Sequence, residues 1–282
     1  MKLVGGGKTI RRIIPIGLFR ITVVCIMVIF VGACSSKKKP EYVEKPVEDL
    51  YNEAMDALEG KDYTTSIAKF DEVERQHPYS TWANRAQLMT AYGFYISNRY
   101  DEAVIALDRF IRLHPTSPDS PYAHYLKGLV FYEQISDVAR DQLMTELSQK
   151  AFKKLIGRYP KSKYSRDAKV KLDLTNDHLA GKEMEIGRFY HKQGQHLAAI
   201  NRFKIVVDNY QTTTHVPEAL HRLTEVYLSI GLKKEAQMTA SVLGHNFPSS
   251  EWYLDSYKIM GNEIASPVEI DSQEVEPWYK FW

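Results

Sequence analysis

Only two cysteines occur in 282 residues, Cys25 and Cys34, too few for a disulfide framework or a thiolate metal cluster. No phosphate-cradling glycine loop, nucleophile elbow or His-Glu-x-x-His stretch is present. The one glycine run, Gly5-Gly6-Gly7, stands near the start of the chain. Nine histidines are scattered. His77 and His114 each directly precede a proline, where a cation suits a helix C-terminus. His191 and His196 lie five apart, and His215 and His221 six apart, whereas a helical ligand pair needs three or four. These absences lead us to expect no cofactor, no metal site and no enzyme. Charge of one sign is also missing. The net charge is +2, and without residues 1–33 it is 32 Lys+Arg against 35 Asp+Glu, or −3. That balance does not fit a nucleic-acid-binding surface.

A long apolar run is absent from the N-terminal region too. From Ile21 to Ala33 there are thirteen residues, short of the roughly 20 that cross a bilayer as a helix. Arg20 and Pro15 interrupt what precedes it, and Lys2, Lys8, Arg11, Arg12 and Arg20 lie upstream with no acid. This is the order of an export signal. With Cys34 following Gly32 and Ala33, it resembles a bacterial lipoprotein signal. The resemblance implies cleavage after residue 33 and acyl chains on Cys34. Ser35, in place of Asp, implies transport to the outer membrane. More than one acyl chain gives stable attachment, and Cys25 would leave with the signal. Residues 34–46 then read as the lipidated cysteine and a charged, proline-bearing linker. About twelve residues at roughly 3.3–3.6 Å each keep the following domain within some 40 Å of the membrane.

From Val47 to Gly261 one unit returns. Its junction is proline, any residue, serine, any residue, aromatic: Pro78-Tyr79-Ser80-Thr81-Trp82, Pro118-Asp119-Ser120-Pro121-Tyr122, Pro160-Lys161-Ser162-Lys163-Tyr164 and Pro248-Ser249-Ser250-Glu251-Trp252. Proline ends the earlier helix, and the serine is expected to cap the next one. Within the units a small residue precedes a bulky one by four, Ser66 and Phe70, Ala103 and Leu107, and Ala199 and Phe203 with the proline lost at Gln211, and Ala236, Ala240 and Leu243 repeat the pattern. Such a pair shares one helix face and lets neighbouring helices approach. The first two sets are 37 residues apart, as are the last two.

The pattern resembles tetratricopeptide repeats. It predicts an all-α superhelix of about five helix pairs over 47–261, with an N-terminal half at 47–160 and a C-terminal half at 161–261. The third unit is widened by a polar stretch around Ser136–Met144. The fourth is longer still, and apolar spacing predicts one long bridging helix over 163–193, with Gly181 and Gly187 allowing a kink. A short helix at 251–260 closes the array, with Trp252, Tyr253 and Tyr257 as packing candidates. Residues 262–282 form a tail ending Pro277-Trp278-Tyr279-Lys280-Phe281-Trp282, which either docks on a partner or straps back onto the last repeats.

The lipobox, the segment Asp137-Val138-Ala139-Arg140-Asp141 and the run from Phe152 to Tyr164 together resemble the BamD (ComL-type) lipoproteins of the outer-membrane β-barrel assembly machinery. The resemblance covers roughly residues 25–260. It implies a periplasm-facing scaffold whose C-terminal repeats bind the POTRA domains of a BamA-type subunit. The N-terminal repeats would receive barrel precursors or a companion assembly lipoprotein. Arg202, a lone cation beside Phe203, aligns with an arginine on the BamA-facing half, and Asn201 adjoins it. A solvated arginine is the plainer alternative. Asp137, Arg140 and Asp141 could shape the N-terminal groove, or pair with each other, or cap a helix. Another lipidated repeat adaptor, for example for peptidoglycan enzymes, fits the same residues.

Overall fold

The computed structural model describes residues 44–261, and the regular structure among them is helical. The signal segment, Cys34 and the aromatic tail lie outside the described residues. The first pair is α1 (Val47–Glu59) and α2 (Tyr63–Gln76); the second is α3 (Thr81–Ile96) and α4 (Tyr100–Leu113). The third is α5 (Ser120–Tyr132) and α6 (Leu143–Arg158). The fourth is α7 (Lys163–Lys192) and α8 (His196–Asn209), and the fifth α9 (Val216–Ser229) and α10 (Lys233–Asn246). A final helix, α11 (Glu251–Met260), caps the stack. Each helix packs chiefly on its neighbours in sequence, as expected of a repeat array. No helix among the described residues is long and apolar enough to cross a membrane.

The small-then-bulky spacing becomes a lock in four of the five pairs, and in the fifth Leu243 follows Ala240 in its place. Ser66, Ala103, Ser148, Ala199 and Ala236 are buried, and four residues on stand Phe70, Leu107, Phe152, Phe203 and Ala240, all buried. Two of the rings face a glycine of the neighbouring helix. The ring of Phe152 would lie 2.3 Å from a Cβ on Gly128, and that of Phe203 2.4 Å from one on Gly187. Only glycine admits these rings, and full burial of each phenylalanine contributes about 1.5–3 kcal/mol. Where the small residue is serine, its hydroxyl is satisfied across the pair: Ser66 donates to the Ala54 carbonyl at 2.9 Å and Ser148 to that of Gly128 at 3.3 Å.

Turns within the pairs also repeat. Lys61, Asn98, Gly194 and Gly231 adopt φ of 61°, 61°, 71° and 79°, the left-handed residue that reverses a chain at a helix end. The amides of Asp62, Arg99, Gln195 and Leu232 then donate back to the carbonyls of Ala57, Phe94, Tyr190 and Tyr227. The third pair has no such turn and instead carries residues 133–142.

Junctions between pairs follow one scheme, and it corrects one sequence expectation. Ser80 and Ser162 cap α3 and α7, accepting from Trp82 N at 3.0 Å and Tyr164 N at 3.3 Å. Ser250 takes the cap position of α11 without a side-chain bond. Ser120 is not a cap. It is the first residue of α5, and its buried hydroxyl donates to the His114 carbonyl at 2.6 Å, as that of Ser165 does to Tyr159. The residue equivalent to Ser80 is Ser117, whose amide donates to His114 O as that of Ser80 does to His77 O. Pro115 is therefore the true counterpart of Pro78, and Pro118 and Pro121 repeat its motif three residues out of step.

The long helix is continuous over thirty residues, without a break at Gly181 or Gly187. Its first half packs Ala168 and Leu172 with Phe152, and its second half places Ala180 and Met184 in the core of the last two pairs. Of the closing aromatics, Tyr253 is fully buried, and Trp252 and Tyr257 lie half-buried against the same core. The linker's end is not free. Lys45 donates its amide to Gln76 Oε1 at 2.9 Å, takes His77 Nε2 at 2.7 Å on its carbonyl, and pairs with Glu53 at 2.7 Å.

Candidate binding interface

Residues 133–142 supply irregular backbone that must be satisfied without a ladder. The buried carboxamide of Gln142 does this. Its Nε2 donates to the carbonyls of Asp137, Val138 and Arg140 at 3.1, 3.2 and 3.0 Å. Its Oε1 accepts from Thr145 Oγ1 at 2.8 Å and lies 2.9 Å from His178 Nδ1. An amide oxygen only accepts, so His178 carries its proton on Nδ1. Lys182 donates to the Ala139 carbonyl at 3.0 Å. The loop is thus pinned to α7 at Ala139 and Gln142.

On that frame Asp137, Arg140 and Asp141 are exposed. The Asp137 carboxylate accepts from Ala139 N at 2.8 Å, a turn-forming contact. Arg140 and Asp141 do not pair with each other, and neither makes an ion pair among the described residues. Beside the loop is a cleft of about 520 Å³, lined by Glu133, Val138, Leu174, Asp177, His178 and His215 among others. Asp177 accepts from Thr214 N at 3.0 Å and Thr214 Oγ1 at 2.8 Å, fixing the α8–α9 link against α7. A Cβ on Gly181 would stand 3.1 Å from His215 Nε2, so glycine permits that approach.

Arg202 and Asn201 lie on α8, positioned by Phe203 seated over Gly187. Asn201 is exposed, and Leu197, one turn earlier, is 73% exposed. Arg202 is not a lone cation. Its Nη1 donates to Glu183 Oε2 of α7 at 3.0 Å. Glu183 belongs to an acidic neighbourhood: burial first, then Glu183 and Glu146, push the Tyr210 phenol up. The structure keeps Asp137, Arg140 and Asp141 on one loop, and Arg202 with Asn201 on another helix. It does not merge them into one site.

Sequence reasoning missed Gln142 and Glu183. Glutamine gives no pattern signal, and the Arg202–Glu183 pair spans a turn at no helical spacing. Nor did it find the half-buried charged group on α9, where Glu225 lies 3.5 Å from His221 Nε2 and 2.7 Å from Arg222. Those partners, His221 first, hold the Glu225 carboxyl down at about 2.

A family model described as outer membrane lipoprotein (YfiO) matches residues 43–243. A Caulobacter vibrioides protein named outer membrane protein assembly factor BamD is 50% identical over 240 residues, covering 84% of this chain and 79% of that one. The protein of that name from Rickettsia prowazekii is 47% identical over 231 residues, covering 82% and 92%. The one from Neisseria meningitidis serogroup B is 35% identical over 246 residues, covering 84% and 87%. The chain belongs to the BamD family of outer membrane lipoproteins.

Proposed function

We propose that this chain is a lipid-anchored, periplasm-facing scaffold of the outer-membrane β-barrel assembly complex. It works by binding and carries no catalytic centre. In this reading Cys34 bears the acyl chains at the outer membrane, and the first pair meets incoming barrel precursors close to it. Arg202 and Asn201 on α8 engage the POTRA domains of a BamA-type subunit. Asp137, Arg140 and Asp141 form the second contact surface, toward precursor or companion lipoprotein. The observation that carries the reading is the 50% identity, over most of both chains, to a protein named as an assembly factor.

The α8 surface suits such a partner on physical grounds. Arg202 uses one guanidinium nitrogen on Glu183, while a guanidinium offers five donors and can bind a further carboxylate bidentately. Exposed Leu197, one turn before Asn201, adds apolar area to the same helix, and arginine is among the residue types enriched at interface hot spots. The test is co-purification of the lipidated wild type with its membrane partners. Recovery with a large integral β-barrel protein is expected; recovery only with cell-wall hydrolases would sink the reading in favour of a peptidoglycan adaptor. Arg202→Ala should cut complex recovery about tenfold, corresponding to ~1.4 kcal/mol, with an unchanged melting curve. Undiminished recovery would remove Arg202 from the interface. Mass spectrometry that finds an unmodified Cys34 thiol would remove the anchor.

A further inference from the structure

The second helix of each pair turns an outer face to solvent, and in one pair that face has changed character. Five residues after the buried small residue stand Asp71, Asp108, Lys153 and Lys204 in α2, α4, α6 and α8. In α10 the same place holds Ser241. The whole stretch from Ala236 to Asn246 contains no acid, lysine or arginine. On it Met238 is 69% and Val242 45% exposed, one helical turn apart on one face. The following helix, α11, packs on α9 and α10 and adds Leu254 and Ile259, both exposed.

Terminal units of a stacked array normally present a polar outer face, because no neighbour shields it from water. This end does the reverse, and the chain carries a segment suited to cover it. Residues 262–282 follow α11 directly. They leave it through Gly261 at φ 62° and ψ −138°, a combination open to glycine and strained for other residues. The sixteen residues 262–277 reach about 50 Å at roughly 3.3 Å each. The 14 residues of α10 span only about 21 Å. Trp278, Tyr279, Phe281 and Trp282 can therefore be brought to any point of α10. Each such ring offers roughly 150–250 Å² to bury. Glu263, Glu269, Asp271, Glu274 and Glu276, in the same segment, would meet no fixed negative charge between Ala236 and Asn246. Tethering gives the segment an effective concentration on the order of millimolar, so docking needs little intrinsic affinity.

We infer that residues 262–282 fold back on the last pair, with the aromatics of 278–282 covering Met238 and Val242. The occupant of this face is the chain's own tail. It closes the array where a sixth second helix would otherwise stand, and it withholds the apolar end from a second copy.

Photocrosslinking of the mature full-length protein, purified alone, tests this with p-benzoylphenylalanine in place of Phe281. The expected product keeps the mass of one chain, joins the tail to α10 or α11 by peptide mapping, and forms in equal yield after dilution. Replacing Met238→Lys together with Val242→Lys puts lysines where α6 already carries Lys150 and Lys154, so the helix is expected to persist. With two apolar contacts gone, the yield should fall about tenfold. A chain ending at Gly261 should exchange amides several-fold faster in α10 and α11 and at an unchanged rate in α1 to α4. A link to any other helix, a link between chains that fades on dilution, or an undiminished yield in the double variant would overturn the assignment. So would no link in the purified chain but one to a different protein in intact membranes, which would give the tail to a partner.

Discussion

The second and third helix pairs share one core pattern and differ in how their two helices are joined. In α3–α4 the chain reverses at Asn98 in a left-handed turn. In α5–α6 the same reversal takes residues 133–142, yet Ser148, Phe152 and Leu155 still occupy the positions of Ala103, Leu107 and Phe110. An insertion at this turn leaves the apolar lock untouched and adds only backbone polar groups to be satisfied. One buried glutamine answers most of them. Regular pairs are therefore held by shape, and the widened pair needs a polar clamp in addition.

The largest way to break that contrast is to attack shape. Gly187→Leu drives a side chain into Phe203, whose ring would meet the Cβ at 2.4 Å, and should cost about 3 kcal/mol. At Gly194, nothing lies within 4 Å of a Cβ and φ is +71°, so Gly194→Ala should cost only about 1 kcal/mol. Denaturant midpoints of the two variants, compared with wild type, check the order; equal losses would show that the ring contact is not what holds α7 to α8.

Attacking the clamp should be milder and local. Gln142→Leu strands the carbonyls of Asp137, Val138 and Arg140 and the hydroxyl of Thr145, for about 2 kcal/mol. Amide exchange should speed up at residues 137–141 and stay unchanged in α3 and α4. Acceleration through all helices would mean the loop and the locks are one unit.

The smallest effect sharpens a difference between the two ends. Glu53 and Glu225 are both held down at about 2, Glu53 by Lys45 then Lys69, Glu225 by His221 first and Arg222 after. A depressed carboxylate contributes stability that is present above its ordinary value near 4.5 and lost as pH falls toward 2. Both carboxylates are half-buried, with side-chain exposures of 38% for Glu53 and 30% for Glu225, so salt screens the pairs of Glu53 only somewhat more. Acid melts of Glu53→Gln and Glu225→Gln should both be flatter than wild type between those pH values. High salt should shrink both differences, the Glu53→Gln one more.

Much of the fold was legible because its determinants are local in sequence. Proline, serine and the four-residue small-to-bulky step each act within one turn of helix, so Phe70, Phe203 and the span of α7 could be placed from spacing alone. Ser120 misled because Pro118-Asp119-Ser120 copies the junction motif three residues beyond Pro115, and only the His114 carbonyl decides which copy is in register. Site chemistry was less readable. Glu183 reaches Arg202, and Gln142 reaches His178, through packing of helices that sequence spacing does not report.

The thirty residues of α7 span about 45 Å at ~1.5 Å per residue. Stacked repeats usually come apart at the interface between neighbours, since each unit touches only the next. Here the same helix ends one core and begins another, with no loop at the boundary to serve as a hinge or a point of parting. The two cores should melt as one cooperative transition, and a force applied at either end should reach the other through a continuous rod.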